Sequence, residues 1–140
     1  MTQLNAYVGF NGKCREAMNF YKDCLGGELE IQTIGESPMK DQCPAGTEND
    51  VLHSSLTNNN VLLLMATDML SSEGYIKGNN IALSLSCSSE EEINAIFSKL
   101  LEGGKIVDAL KTQFWGAIFG VLTDKFGITW MLNYNKNQNN

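Results

Sequence analysis

The chain has one histidine, His53, and imidazole is the side chain best suited to acid–base chemistry near neutral pH. It lies in the segment Val51–Thr57, where Leu52 and Leu56 are predicted to face one side of a strand, and His53 and Ser55 the other. An imidazole on that second face could act as a general base, contact a ligand, or hydrogen-bond within the sheet. The residue types leave these three interpretations open.

Four cysteines offer thiol chemistry, but their spacing does not indicate a site. No pair among Cys14, Cys24, Cys43 and Cys87 has the C-x-x-C spacing that is typical of zinc and redox motifs. A nucleophilic cysteine also requires a base nearby, and one histidine is available in the whole chain. Since the N-terminus does not read as a secretion signal, we expect four reduced thiols in the cytoplasm.

Three consecutive carboxylates, Glu90–Glu92, could suggest a metal site. They directly follow Ser88-Ser89, a pair typical of a helix start. The dipole of a helix favours acidic residues in its first turn. The simpler interpretation is therefore a solvated helix N-terminus.

Composition predicts an acidic globular protein. The chain has 140 residues, of which 43% are hydrophobic, and this is enough to form a core. Its 10 basic and 16 acidic residues give a net charge of −6, and no cluster of Lys or Arg indicates a nucleic-acid surface. No apolar run approaches the ~20 residues that a membrane span needs. We expect a cytoplasmic protein that binds neither nucleic acid nor membrane.

A repeat at an offset of 77 residues, as from Phe20 to Phe97, divides the chain into two halves. Each half is predicted to contain a strand, a helix and three further strands. The first helix is predicted from about Lys13 to Leu25, and the second from Ser88-Ser89 to Leu101, each followed by a Gly-Gly stop.

The strands are predicted from alternation of apolar and polar residues and from the turns between them. Those that follow the helices are Glu28–Ile34, Val51–Thr57 and Val61–Thr67, then Lys105–Leu110, Phe114–Thr123 and Ile128–Tyr134. In the strand that opens each half, one side is expected to pack beneath the helix: Leu4, Ala6, Val8 and Phe10, then Ile81, Leu83 and Leu85. The polar tail from Asn135 is expected to fray.

The order of these motifs resembles the glyoxalase, bleomycin-resistance and dioxygenase (vicinal oxygen chelate) superfamily, and within it the PhnB-like proteins. The resemblance spans nearly the whole chain. It rests on Phe10-Asn11-Gly12, Glu16-Ala17, Phe20-Tyr21, Gly26-Gly27, His53, Gly103-Gly104-Lys105, Phe114-Trp115-Gly116, and Thr123-Asp124-Lys125-Phe126-Gly127 closed by Trp130.

The resemblance implies an α+β fold, with two tandem βαβββ modules whose curved mixed sheets surround a cavity and carry helices on their convex faces. We expect one domain over residues 1–140, made of modules at about 1–67 and about 80–134. Relatives of this kind form homodimers, and their drug-resistance members trap a small organic compound without changing it. A homodimer that holds a small organic ligand is therefore expected.

The superfamily's divalent metal is typically held by His, Gln or Glu on the first and last strands of each half. Here the corresponding positions fall near Asn5, Asn80 and Met131. These side chains are poor ligands for zinc, iron or nickel. We therefore expect neither a metal nor another cofactor, and we assign no catalytic residue.

Contacts to the ligand are expected from side chains that strand alternation turns toward the cavity: His53, Trp115, Tyr7, Ser55, Met65 and Phe119. Trp115 is predicted to share a strand face with Phe119. Trp130 is predicted to lie in the core, and Asp124 to order the turn before it.

Two alternatives remain. One is a divalent-metal-dependent lyase or dioxygenase of the glyoxalase type, in which His53 would bind the metal together with Glu28, Glu30 or Asp68. The other is a protein-interaction module that has kept the fold without its chemistry.

Overall fold

The computed structural model describes residues 2–69 and 74–136. The chain divides into two compact units, Met1–Lys77 and Gly78–Asn140. The first contains β1 (Tyr7–Gly9), α1 (Cys14–Leu25), β2 (Glu28–Thr33), β3 (Val51–Asn58) and β4 (Val61–Thr67). The second contains β5 (Leu83–Ser86), α2 (Glu90–Leu101), β6 (Lys105–Thr112), β7 (Ala117–Thr123) and β8 (Thr129–Asn135).

Each unit has one four-stranded mixed sheet. The strand orders are β1-β4-β3-β2 and β5-β8-β7-β6. The strand that opens each unit pairs in parallel with the last strand, and the other pairs are antiparallel. This confirms the predicted α+β fold with two βαβββ repeats.

Helix α1 packs on its sheet through a buried face at helical spacing, formed by Cys14, Ala17, Met18, Tyr21 and Cys24. It ends at Gly26, whose φ of 78° favours glycine. A Cβ on the next residue, Gly27, would collide with the carbonyl oxygen of Thr57. The glycine pair therefore ends the helix and lets the chain enter β2 directly against β3.

The N-terminus of α1 is held by a carboxylate from the end of β4. One oxygen of Asp68 accepts a hydrogen bond from the Cys14 N–H at 2.9 Å, and the other accepts from the Val51 N–H at 3.0 Å. Lys13, at the N-cap, makes no side-chain cap. Asp68 thus joins α1, β3 and β4 at one point and places a negative charge where the helix dipole favours it.

Helix α2 begins as the sequence predicts. The Ser89 hydroxyl accepts from the Glu92 N–H at 3.0 Å, and the Glu92 carboxylate accepts from the Ser88 N–H at 2.8 Å. This is a form of capping box, and it explains Glu92 without a metal. Within residues 2–69 and 74–136, no helix is long and apolar enough to cross a membrane.

Asp124 orders the β7–β8 turn, in agreement with the sequence. One of its carboxylate oxygens accepts from the N–H groups of Phe126 at 2.8 Å and Ile128 at 3.0 Å. The other accepts from the indole N–H of Trp130 at 2.8 Å. Trp130 is buried in the core, as predicted.

The first strand of each half is shorter than the segment over which apolar and polar residues alternate. Leu4 is 97% exposed and Ile81 is 78% exposed, so the prediction that they pack beneath the helices is wrong. Pairing with the last strand begins only at Tyr7 in the first unit and Leu83 in the second. Alternation without a paired neighbour does not bury a side chain.

The second half differs from prediction at further points, one of which is that β6 ends at Thr112 rather than at Leu110. Phe114 and Trp115 lie in a turn rather than in β7, because the Gly116 N–H donates to the Gln113 carbonyl at 3.0 Å. Strand β8 also runs one residue further than predicted and includes Asn135. The remainder of the predicted frayed tail, residues 137–140, lies outside the described part of the chain.

Candidate functional site

The two faces of the first sheet differ in what covers them. Ser54 is buried, and its hydroxyl lies 3.5 Å from the thiol of Cys14 on α1. Leu56 and Ala66 are likewise buried. Because side chains alternate along a strand, His53 and Ser55 point away from the helix. We call this second side of the sheet the open face.

A row of paired residues crosses the open face from edge to edge. Tyr7 on β1 pairs with Met65 on β4, Met65 pairs with Ser55 on β3, and Ser55 pairs with Glu30 on β2. Directly paired residues place their side chains on the same face. Tyr7, Ser55 and Met65 therefore lie together on the open face. The sequence predicts that these three side chains share one face of the sheet.

His53 lies on the same face, two residues before Ser55, and makes a direct contact with Tyr7. The Tyr7 hydroxyl is 3.1 Å from His53 Nδ1. The ring centroids are 5.7 Å apart, and the planes are tilted by 46°. Tyr7 is 52% exposed. Within the first unit, a small molecule can therefore reach the Tyr7 side of this polar pair.

Of the neighbours that β2 contributes to the open face, sequence reasoning named Glu28 and Glu30 only as alternative metal ligands, and it missed Gln32. Gln32 pairs with His53, and Glu30 pairs with Ser55. The alternation Glu28, Glu30, Gln32 was the available signal, since it places all three polar side chains on one side of the strand. The face is polar along this edge and apolar at Met65.

The second unit carries an aromatic pair. A Cβ on Gly120 would lie 2.9 Å from the Phe97 ring of α2, so Gly120 faces the helix and Phe119 points away from it. Trp115 and Phe119 have ring centroids 6.5 Å apart, and Trp115 is 48% exposed. The two rings are therefore neighbours, but the prediction that they share a strand face is wrong, because Trp115 lies in the turn before β7. Phe114 packs edge-on against Trp115 at 4.9 Å.

The residues at the superfamily's metal positions do not fit a metal ion. Asn5 precedes β1, and Met131 pairs with Ser84 on β5. No group of three or more His, Cys, Asp or Glu side chains comes together among residues 2–69 and 74–136. Of the alternative ligands for His53, Asp68 is engaged by two backbone N–H groups, and Gln32 rather than a glutamate lies opposite the imidazole.

Two of the four thiols, those of Cys14 and Cys87, are poorly suited to act as nucleophiles. Burial raises the pKa of Cys14 to about 11, against the opposing effect of its contact with Ser54. Burial and the nearby Glu92 carboxylate raise the pKa of Cys87 to about 11. Because the thiolate is the reactive species, both cysteines are inert near neutral pH.

A groove of about 470 Å³ lies at the far end of the first sheet, beside the β3–β4 turn. Its lining contains none of the side chains that are predicted to contact the ligand. It is formed by Gly27, Glu28, Thr57, Asn58, Asn59 and Asn60.

Comparison with known proteins places this geometry in a family. The family profile described as Glyoxalase/Bleomycin resistance protein/Dioxygenase superfamily matches residues 3–132. Protein YjdN of Escherichia coli (strain K12) is 33% identical, over 96% of this chain and 97% of that protein.

Two solved structures are similar over nearly the full length of both chains. Protein PA1353 from Pseudomonas aeruginosa is 36% identical with a TM-score of 0.84, covering 96% of this chain and 98% of its own. The PhnB protein from Bacillus cereus is 30% identical with a TM-score of 0.75, covering 95% and 99%.

Proposed function

Because the chain belongs to the glyoxalase/bleomycin resistance/dioxygenase superfamily, we propose that it binds a small organic ligand on the open face of its first sheet. Tyr7, His53 and Ser55 supply hydrogen bonds to the ligand, and Met65 supplies apolar contact. In the second unit, considered by itself, Trp115 and Phe119 offer an aromatic surface for ligand contact.

The observation that carries this proposal is the Tyr7–His53 pair. Its atoms are 3.1 Å apart on a face that α1 leaves uncovered, and Tyr7 keeps half of its surface accessible. Binding sites combine apolar surface with a few polar groups that converge on the ligand. The open face offers this combination, with the thioether of Met65 lying between β1 and β3. Met adapts to ligands of different shape.

The proposal assigns binding and no reaction. The donor set does not fit the metal on which the lyases and dioxygenases of the superfamily rely, and fold alone does not carry their chemistry to this chain.

We further propose that the two units act as one domain, and that the protein works in the cytoplasm as a homodimer. Size-exclusion chromatography with light scattering tests the assembly.

A fragment screen tests the binding function directly. Ligand-observed NMR with a library of aromatic and heteroaromatic fragments is run on the wild-type protein and on His53→Ala. Trp fluorescence, from Trp115 and the buried Trp130, reports separately on ligand contact with the second unit. We expect a set of fragments whose binding is lost in His53→Ala. A screen in which every bound fragment is unaffected by His53→Ala would contradict the proposal.

The matched control is Asn59→Gly, in the turn beside the groove at the far end of the same sheet. This variant removes a polar side chain of that groove, and glycine accepts the left-handed φ of 51° at this position. Fragments that require His53 should bind Asn59→Gly as they bind wild type. Loss of binding in Asn59→Gly alone would place the site in the groove and overturn the proposal.

A further inference from the structure

We propose that Tyr7 is a positioning residue that holds His53 in one tautomer, with the proton on Nε2, so that the site selects ligands with an uncharged carbonyl oxygen. This inference rests on the proposed binding function and adds the chemical class of the ligand to it.

The direction of the Tyr7–His53 hydrogen bond determines the tautomer. The hydroxyl oxygen is 3.1 Å from Nδ1, so one of the two groups donates and the other accepts. A phenol is a stronger acid than a neutral imidazole N–H, and an imidazole nitrogen is a stronger base than a phenol oxygen. The hydroxyl therefore donates to Nδ1. With Nδ1 occupied as an acceptor, the ring proton lies on Nε2.

The backbone holds both partners in this arrangement. Tyr7 is in parallel register with Met65, whose N–H donates to the Ala6 carbonyl at 3.1 Å. His53 is followed by the buried Ser54, whose hydroxyl donates to the Ala66 carbonyl at 2.9 Å. The hydrogen bond between the side chains thus joins β1 to β3 across β4. Neither ring can turn away without breaking it.

The Nε2 proton is available to a ligand. Within the part of the chain that the structure describes, the side chain of His53 makes no hydrogen bond other than the one to Tyr7. An N–H on the open face can donate to an acceptor such as a carbonyl oxygen. It cannot accept a hydrogen bond from an ammonium or hydroxyl group of the ligand.

The charges of the sheet favour an uncharged acceptor. Strands β1, β2, β3 and β4 contain no Lys or Arg, whereas β2 contributes Glu28 and Glu30. Glu30 is in register with Ser55, one row from His53. A carboxylate or phosphate ligand would meet these negative charges without a cation from the same sheet. A ketone, ester or amide carbonyl accepts from Nε2 without that repulsion.

The tautomer can be read in the unliganded protein, independently of any ligand. Because His53 is the only histidine, a long-range ¹H–¹⁵N correlation spectrum at alkaline pH contains the two nitrogens of one ring. We expect the Nε2 signal at the protonated position and the Nδ1 signal at the unprotonated one. In Tyr7→Phe both signals should move toward each other, because the ring then exchanges between tautomers.

The control is Tyr75→Phe, which removes the hydroxyl of another exposed tyrosine of the first unit, outside the sheet. It should leave both nitrogen signals in place. A wild-type spectrum with the proton on Nδ1, or a Tyr7→Phe spectrum identical to wild type, would overturn the role of Tyr7. Neither result would affect fragment binding that requires His53, so the proposed function would stand.

The ligand class is tested with three probes of one shape: acetophenone, benzoate and benzylamine. We expect acetophenone to shift the Nε2 signal at concentrations at which benzoate and benzylamine do not. Binding of acetophenone should weaken about tenfold in His53→Asn, which keeps an amide near Nδ1 only. It should weaken less in His53→Gln, whose amide reaches the Nε2 position. Equal or stronger binding of benzoate, or no response to acetophenone, would overturn the ligand class.

Discussion

Met65 and Met131 occupy the same place in the two sheets. Each lies on the last strand of its unit and is paired in parallel with the opening strand, Met65 with Tyr7 and Met131 with Ser84. Tyr7 and Ser84 are also related by the offset of the sequence repeat. At the strand pair where the superfamily holds its metal, this chain therefore has a thioether in both halves, and a phenol or a hydroxyl beside it. None of these is a strong ligand for a first-row divalent metal.

Purified protein should accordingly contain no stoichiometric zinc, nickel, iron or manganese. Addition of EDTA should leave the midpoint of thermal unfolding unchanged, because no metal contributes to the folded state. Elemental analysis by mass spectrometry and a thermal scan with and without EDTA check this. Near-stoichiometric metal whose removal lowers the midpoint would contradict our interpretation of the donor set and would favour a metal-dependent enzyme.

Asp68→Asn should lower the free energy of unfolding by about 2 kcal/mol, as measured by urea denaturation. The substitution removes the negative charge from two hydrogen bonds, to Cys14 and Val51, that fix α1 to the sheet. Asp23→Asn, at an exposed position on the same helix, is the control and should change stability little. Equal effects of the two variants would show that the anchoring of α1 does not depend on this carboxylate.

Ionisation of the Cys14 thiol should make the free energy of unfolding depend on pH in the alkaline range. Burial raises the pKa of Cys14 from an ordinary value of 9.0 to about 11 in the folded protein. Above pH 9 the unfolded chain therefore releases a proton that the folded protein retains. The free energy of unfolding should fall as the pH rises toward 11. Urea denaturation at several pH values measures the slope.

Cys14→Ala should reduce that slope, whatever its effect on stability at neutral pH. Alkylation provides a second measurement, in which Cys14 and Cys87 of the folded protein should react slowly with iodoacetamide at pH 8. Cys43, which lies in a loop, is the internal reference. An unchanged slope in Cys14→Ala would contradict the burial of this thiol.

Much of the fold is predictable from local patterns. The Gly-Gly stops, the Ser-Ser helix start and the apolar run that forms most of Val61–Thr67 all indicate their elements correctly. Asp124 is predictable for the same reason, because its partners Phe126 and Ile128 lie within four residues. Local chemistry was sufficient wherever the interacting groups are close in sequence.

The site is less predictable because its contacts are long-range. Alternation shows that Tyr7 and His53 face the same way, but their hydrogen bond depends on the strand order, which inserts β4 between β1 and β3. No local signal gives that order. Trp115 shows the opposite error: the prediction began the strand at Phe114, within the turn that precedes the first residue of β7, Ala117.

The most direct test of ligand binding on the open face is NMR of the protein labelled with ¹³C at the methionine methyl groups, titrated with a fragment from the screen. Met65 lies on the open face beside Tyr7, whereas Met18 belongs to the buried face of α1 in the same unit. We predict that the Met65 methyl signal shifts with a saturable curve and that the Met18 signal does not move. Saturable binding that leaves Met65 unshifted would contradict the account.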